Sequence, residues 1–224
     1  MDRLTTPTSA STPASTTTDT PEGATVGRTA VDVDAAERAV ADLLRALGRN
    51  PDSLQFSLTP RRVVQNLRDL TTNETLELSR FENPGDYTEP IIMRDISFVS
   101  LCEHHLLPFR GMAHVGYVPG DEIVGLSALA QVVEHYAANF QIQERLTAQI
   151  AVYLSEEMGS RSVGVTIQAE HDCVATRGVR AAGASAVTQA FRGELADDPS
   201  FRALLGLAAQ SVAPPARSTR RGSA

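Results

Sequence analysis

Tryptophan and lysine are both missing from this 224-residue chain, and cysteine occurs only twice, at Cys102 and Cys173. Two cysteines exclude the disulfide framework that staples small secreted domains. A single bridge, a site, or two buried thiols all stay open. Long apolar runs are absent as well, since none approaches the roughly 18 residues of a membrane span. The N-terminus lacks a basic segment followed by an apolar one, so no secretory leader is expected and a cytoplasmic location is. Positive charge is in deficit: 20 basic residues, all arginine, stand against 27 acidic ones, for a net charge of −7. That balance argues against a nucleic-acid backbone as the main partner.

Aromatic residues make up 5% of the chain and none falls in the first thirty, where twenty residues are Ser, Thr, Pro or Ala. Such a stretch cannot bury enough surface to offset its ordering entropy, so residues 1–30 are expected to be a disordered tail. Residues 212–224, rich in Pro, Arg and Ser, read the same way. The span 31–211 remains, roughly 180 residues, enough for one domain with a real core.

Along that span the hydrophobic period changes several times. Val33, Ala36, Val40, Leu43, Leu44 and Leu47 recur at helical spacing, with Gly48 as a C-terminal cap. Thr59-Pro60 opens a second helix, with Thr59 as its N-cap, running to about Leu70. The turn cluster 82–86 follows, then strands over Ile91–Leu101 and Met112–Val118. Helical spacing returns from Leu126 to Tyr136 and from Leu146 to Leu154. Ser162–His171 alternates as a half-buried strand, Cys173–Val179 is expected to continue as another, and Pro199–Ala209 closes the domain as a helix. That order predicts an α+β domain with an antiparallel sheet.

The densest chemistry is Cys102-Glu103-His104-His105, with His171-Asp172-Cys173 some way downstream. Two thiolates and an imidazole suit Zn²⁺, and three protein ligands leave a fourth position for water. Water on such an ion ionises near neutral pH and becomes a nucleophile. Cys-x-x-His is a short pattern, however. On spacing alone a zinc site and an ordinary set of core and surface residues stand side by side.

Four motifs go further together. Cys-Glu-His-His-Leu-Leu-Pro-Phe at 102–109, Gly-Leu-Ser at 125–127, Gln-Ile-Gln-Glu-Arg-Leu-Thr at 141–147, and His-Asp-Cys with Arg-Gly-Val within 171–179 resemble GTP cyclohydrolase I, in register from about Val33 to Leu205. The resemblance implies the tunnelling fold (T-fold), an antiparallel sheet with helices on one face whose subunits join into a β-barrel and assemble as a homodecamer. It implies Cys102, His105 and Cys173 as zinc ligands and His104 and His171 as catalytic histidines. Gln143 and Glu144 match the guanine-recognition pair, Ser127 a serine linked to ribose rearrangement, and Arg62 and Arg177 phosphate contacts. A carboxylate suits guanine because it accepts from N1–H and the 2-amino group together. Read without the resemblance, Glu144 is a solvated helix residue, Ser127 an N-cap and His104 a packing residue. The implied reaction adds water at C8 of GTP while a histidine protonates N7. The ring opens, formate leaves, and the rearranged ribose recloses as dihydroneopterin triphosphate.

The chain also departs from the family pattern. Where Gly-Leu-Ser-Lys-Leu-Ala-Arg is usual, the lysine is Ala128 and the arginine Gln131; a frequent arginine pair is Ala138-Asn139, and a further lysine is Ala148. A GC-rich genome explains arginine in place of lysine, but not alanine. Two of about four cationic phosphate contacts are lost, each contributing on the order of 1.5–3 kcal/mol. Arg110, Arg180 or a neighbouring subunit's arginine would compensate. The other reading is a paralogue in specialised metabolism that takes a less-phosphorylated guanine derivative or stops after ring opening. A third is a non-catalytic subunit in a mixed oligomer, which the retained ligands and histidines disfavour.

Overall fold

A computed structural model of the chain describes residues 30–73 and 75–206, and its compact unit begins at Asp32. The expected tails, apart from Ala30, lie outside the described residues, as do residues 207–209 of the helix expected over Pro199–Ala209. Two helices come first, α1 (Val33–Ala46) and α2 (Thr59–Thr71), packed on each other. The strands are β1 (Arg80–Glu82), β2 (Ile91–Cys102), β3 (Pro108–Val118), β4 (Glu122–Val124), β5 (Phe140–Gln141), β6 (Ser162–His171) and β7 (Ser185–Gly193). Among them lie α3 (Leu126–Ala137), α4 (Gln143–Glu156), the single turn α5 (Asp172–Ala175) and, last, α6 (Pro199–Leu205).

The main sheet runs β5-β2-β3-β6-β7, antiparallel except for the short parallel β2–β5 pairing; β1 and β4 form a separate ribbon. This is the expected α+β architecture. Odd-numbered side chains of β3 and β6, from Ala113 to Tyr117 and from Val163 to Ala169, point to one face. There they meet Leu129, Val132 and Val133 of α3 and Leu146, Ile150 and Leu154 of α4 in one core. The short α6 covers part of the opposite face. Gly116 and Gly164 are register partners, and a Cβ on Gly164 would come within 2.3 Å of Leu205.

The local rules held at several ends. α1 stops in a Schellman motif: Gly48, at φ +75°, donates to the Arg45 carbonyl and Arg49 donates to that of Leu44. Thr59 is not the N-cap of α2; Leu58 takes that position and Thr59 is already helical, ahead of Pro60. β3 starts four residues earlier than its apolar pattern suggested, because Phe109 is fully buried against the sheet's end.

The strand expected at Cys173–Val179 does not exist. The chain makes the turn of α5 and then a loop in which Gly178, Arg180 and Gly183 all have left-handed backbones, and among the described residues the loop pairs with no strand. Val174 and Val179 supplied the apolar pattern, yet both face solvent. The true partner of β6 is β7, an edge strand of mostly exposed residues with too few apolar side chains to register as a strand. No helix among the described residues is long and apolar enough to cross a membrane.

Candidate metal centre and active site

β2 and β3 are joined by a tight turn that brings Cys102 and His105 to one side. Leu106 donates to the Cys102 carbonyl at 2.8 Å, and Cys102 donates to that of Leu107 at 2.9 Å. Leu106 carries a left-handed backbone (φ +54°), an unfavourable state for a branched residue that the flanking ladder holds in place. Cys102 Sγ then lies 3.7 Å from His105 Nδ1. Cys173 arrives from the other direction, on α5 just past the end of β6. The ligand atoms of Cys102, His105 and Cys173 all lie within 4.8 Å of one another.

This donor set fits a zinc ion. Tetrahedral zinc with the usual Zn–S and Zn–N bonds separates sulfur from nitrogen by about 3.6 Å. Cys102 is buried, Cys173 half-buried and His105 exposed, so the cluster opens to the surface on one side. Burial pushes the Cys173 thiol up, and the adjacent Cys102 pushes it further. Two sulfurs held this close repel as thiolates, and a dication reverses that penalty.

His171, the last residue of β6, pairs in register with Phe109 of β3, and the two rings stack at 4.7 Å with planes 3° apart. Its Nε2 lies 2.8 Å from Gln143 Oε1 at the start of α4. Burial holds the His171 pKa below the ordinary histidine value, with Glu144 pulling it back up. Next to it, Asp172 accepts from Arg110 Nη2 at 2.6 Å, tying α5 to β3. His104 is different. Its side chain is 65% exposed, its ring meets that of His105 edge-on at 6.4 Å, and its Nε2 lies 3.9 Å from Glu103. Glu103 in turn accepts from Arg145 of α4 at 2.5 Å.

Residues 36–207 match the family model of GTP cyclohydrolase I. The chain belongs to the GTP cyclohydrolase I family. It is 41% identical to GTP cyclohydrolase 1 of Aquifex aeolicus (strain VF5) over 173 residues, 77% of this chain and 94% of that protein. The corresponding protein of Mycobacterium ulcerans (strain Agy99) is 42% identical over 181 residues, 78% of this chain and 89% of that one. The Synechococcus sp. protein of the same name is also 42% identical, covering 79% of each chain. These likenesses identify a GTP cyclohydrolase I-like enzyme. Among solved structures, an archaeosine synthase QueF-like protein in its apo form superposes over 47% of this chain at 13% identity, with a TM-score of 0.39.

The other residues implied by the GTP cyclohydrolase I resemblance are more scattered. Glu144 is exposed in the first turn of α4, one residue past Gln143. Arg177 is exposed in the loop after α5, close enough for its charge to lower the Cys173 pKa. Ser127 is exposed and is the second residue of α3, whose N-cap is Gly125; it caps nothing. Arg62 stands exposed in the first turn of α2. Among the described residues, no hydrogen bond or ion pair joins Ser127 or Arg62 to the metal cluster.

The two departures on α3 prove unlike each other. Ala128 is 1% exposed and belongs to the core, whereas Gln131 faces solvent. Despite their i, i+3 spacing they do not share one open face, whereas Ser127 and Gln131 are both exposed. Gln143 is turned inward and buried. Its amide nitrogen lies 3.2 Å from the Ile167 carbonyl and 3.1 Å from both the Ala186 carbonyl and Thr188 Oγ1, and its oxygen faces His171. Sequence reasoning singled out none of Phe109, Arg145 and Thr188. The signal for Phe109 was its place in the 102–109 motif, while Thr188 lies on the strand that went unread.

Proposed function

We propose that this enzyme is a zinc-dependent hydrolase that opens the imidazole ring of a guanine nucleotide at C8, in the manner that GTP cyclohydrolase I acts on GTP to give 7,8-dihydroneopterin triphosphate and formate. The observation that carries this reading is the Cys102–His105–Cys173 cluster beside a clamped, half-buried His171. A zinc ion held by Cys102, His105 and Cys173 would supply Lewis acidity and a water activated for attack. His171, whose pKa burial lowers, is favoured in its neutral form and able to take and return a proton at the purine. His104, exposed and next to Glu103, suits a second proton exchange on the solvent side. Glu144 accepts from guanine N1–H and the 2-amino group, a pairing that adenine cannot make. Arg177 and Arg62 meet phosphate, and Ser127 serves the later ribose steps.

A second reading, a substrate with fewer phosphates, is supported by the start of α3. Ala128 is buried and Gln131 is uncharged, and Arg110, a candidate to replace them, is already paired with Asp172 at 2.6 Å. Assembly as a homodecamer is supported by the sheet's open borders: among the described residues β7 pairs only with β6, and β2 meets β5 only at Leu101 and Cys102. A cytoplasmic location fits this chemistry and is part of the same proposal.

The test is incubation of zinc-loaded protein with GTP, GDP, GMP, guanosine and guanine, following formate and pterin fluorescence separately. Formate with pterin from GTP supports the full reaction. Formate or a formamide without pterin limits the enzyme to ring opening, and neither product from any guanine compound overturns the proposal.

A further inference from the structure

The side chain of Gln143 has no free donor to offer a ligand. Its nitrogen is surrounded by two backbone carbonyls, of Ile167 and Ala186, which only accept. That identifies the NH₂ end by chemistry and directs the oxygen to His171 Nε2, 2.8 Å away. An amide oxygen cannot donate, so the hydrogen in that bond belongs to the histidine.

Two threonines hold the amide in this sense. Thr147 donates to the backbone carbonyl of Gln143 at 2.8 Å, which uses its only hydrogen. The 2.6 Å contact between Thr147 and Thr188 must then be donated by Thr188, whose oxygen is left to accept from Gln143 Nε2 at 3.1 Å. Gln143 is 2% exposed and Thr147 is equally buried, so water does not compete for these bonds. The Phe109 ring stacked on His171 fixes the plane in which the imidazole lies.

We infer that Gln143 is a positioning residue: it keeps a hydrogen on His171 Nε2, so that Nδ1 is the atom through which His171 exchanges protons with the substrate. The inference rests on the proposed role of His171 as a proton-exchanging group, but the tautomer can be read without any turnover. In the exchange, Nδ1 gains or gives up the proton while the Nε2–H bond to Gln143 stays intact. The pairing of a buried neutral amide with the working histidine parallels the outer partners that orient metal-bound histidines.

The experiment is ¹⁵N magic-angle-spinning NMR on full-length, zinc-loaded protein labelled at histidine, at about pH 8 where a free imidazole is neutral. His171 is assigned by its loss in His171→Asn. The expected wild-type spectrum shows a protonated Nε2 and an unprotonated Nδ1. In Gln143→Met, which keeps the length and removes both polar ends, the two nitrogens should move toward averaged shifts. Its kcat for the best guanine substrate should fall about 10–100-fold with KM changed less than threefold. Thr188→Val should lower kcat by a few-fold only, and Thr188→Ser should restore it. A wild-type His171 protonated at Nδ1 overturns the inference, and this result needs no variant to fold. So does a Gln143→Met enzyme with unchanged kcat and raised KM, which would return Gln143 to substrate recognition. Failure of all turnover with a protonated Nε2 would count against the proposed function and leave the positioning role standing.

Discussion

The end of the β2–β3–β6 ladder and the first turns of α3 contrast within one chain. At the ladder's end every residue implied by the family resemblance is present, the three candidate ligands lie together, and His171 is held by strand register, a stacked ring and a hydrogen bond to buried Gln143, while His104 stands open to solvent. At the start of α3 the serine remains but the two basic positions are alanine and glutamine, one in the core and one in water. The proposed ring opening would need only the ladder's end, where the candidate metal ligands and the histidines meet. Holding a triphosphate needs diffuse positive charge, which several arginines can share or lose by degrees. One set of residues is therefore nearly all-or-none, the other graded.

Breaking the metal cluster should have the largest effect. Cys173→Ala is expected to abolish both zinc and activity, because two protein ligands rarely retain zinc tightly. Metal analysis alongside formate release checks this, and a fully active, metal-free variant would sink the reading. Next comes His171→Ala, which should keep its zinc and lose roughly 10²–10⁴-fold in kcat, the usual share of a general acid–base group. If zinc is lost as well, the histidine holds the metal cluster together in addition to its catalytic part.

The α3 end should respond by smaller steps, and unequally. Gln131→Arg places a cation on the exposed face beside Ser127 and should improve kcat/KM for GTP over GMP by about tenfold, within the contribution of one charge-assisted bond. Ala128→Lys must thread its stem out of the core and should lower the melting temperature, with little gain unless the ammonium reaches the surface. Strong GTP preference in the unmodified enzyme, unmoved by Gln131→Arg, would mean that other arginines already do this work.

The smallest effect separates the fold's own response to pH from that of the site. His114 is 9% exposed on the sheet face away from α3 and α4, and its Nδ1 accepts from the Asp95 backbone at 3.3 Å. Burial holds its pKa below 6.5, with Arg94 acting in the same sense and Asp95 against it. The unfolded chain therefore takes up the proton first, and stability is whole above about pH 6.5 and declines as pH falls through the lower folded value. Denaturant midpoints between about pH 7.5 and 5.5 should drop in the wild type and drop less in His114→Gln. Equal slopes would show that His114 does not govern this response.

Much of the site could be read before any fold was known, for a chemical reason. Thiolates and imidazoles close together in a short turn have few uses, and Cys102, His105 and Cys173 did prove to be neighbours. The strand Ser162–His171 was legible too, because Val163, Val165, Ile167 and Ala169 alternate along one face, although it is not half-buried as expected: Ser162, Gly164 and Thr166 on the other face are buried as well. β7 was not, since an edge strand half in solvent needs no apolar pattern, and its loss from the reading shifted the strand to the loop that carries Arg177.

The sequence by itself determined the element types with strong periodicity, the metal-ligand set as a candidate, and membership of a family through four motifs in order. Those depend on local sterics and on residue chemistry that neighbours cannot change. Only the tertiary structure decided which polar group faces which. It turned Gln143 inward to His171, buried Ala128 while exposing Gln131, and committed Arg110 to Asp172. Helical spacing gives an angle around an axis but not what lies at that angle, and a glutamine's two ends are told apart only by the carbonyls that pack against them.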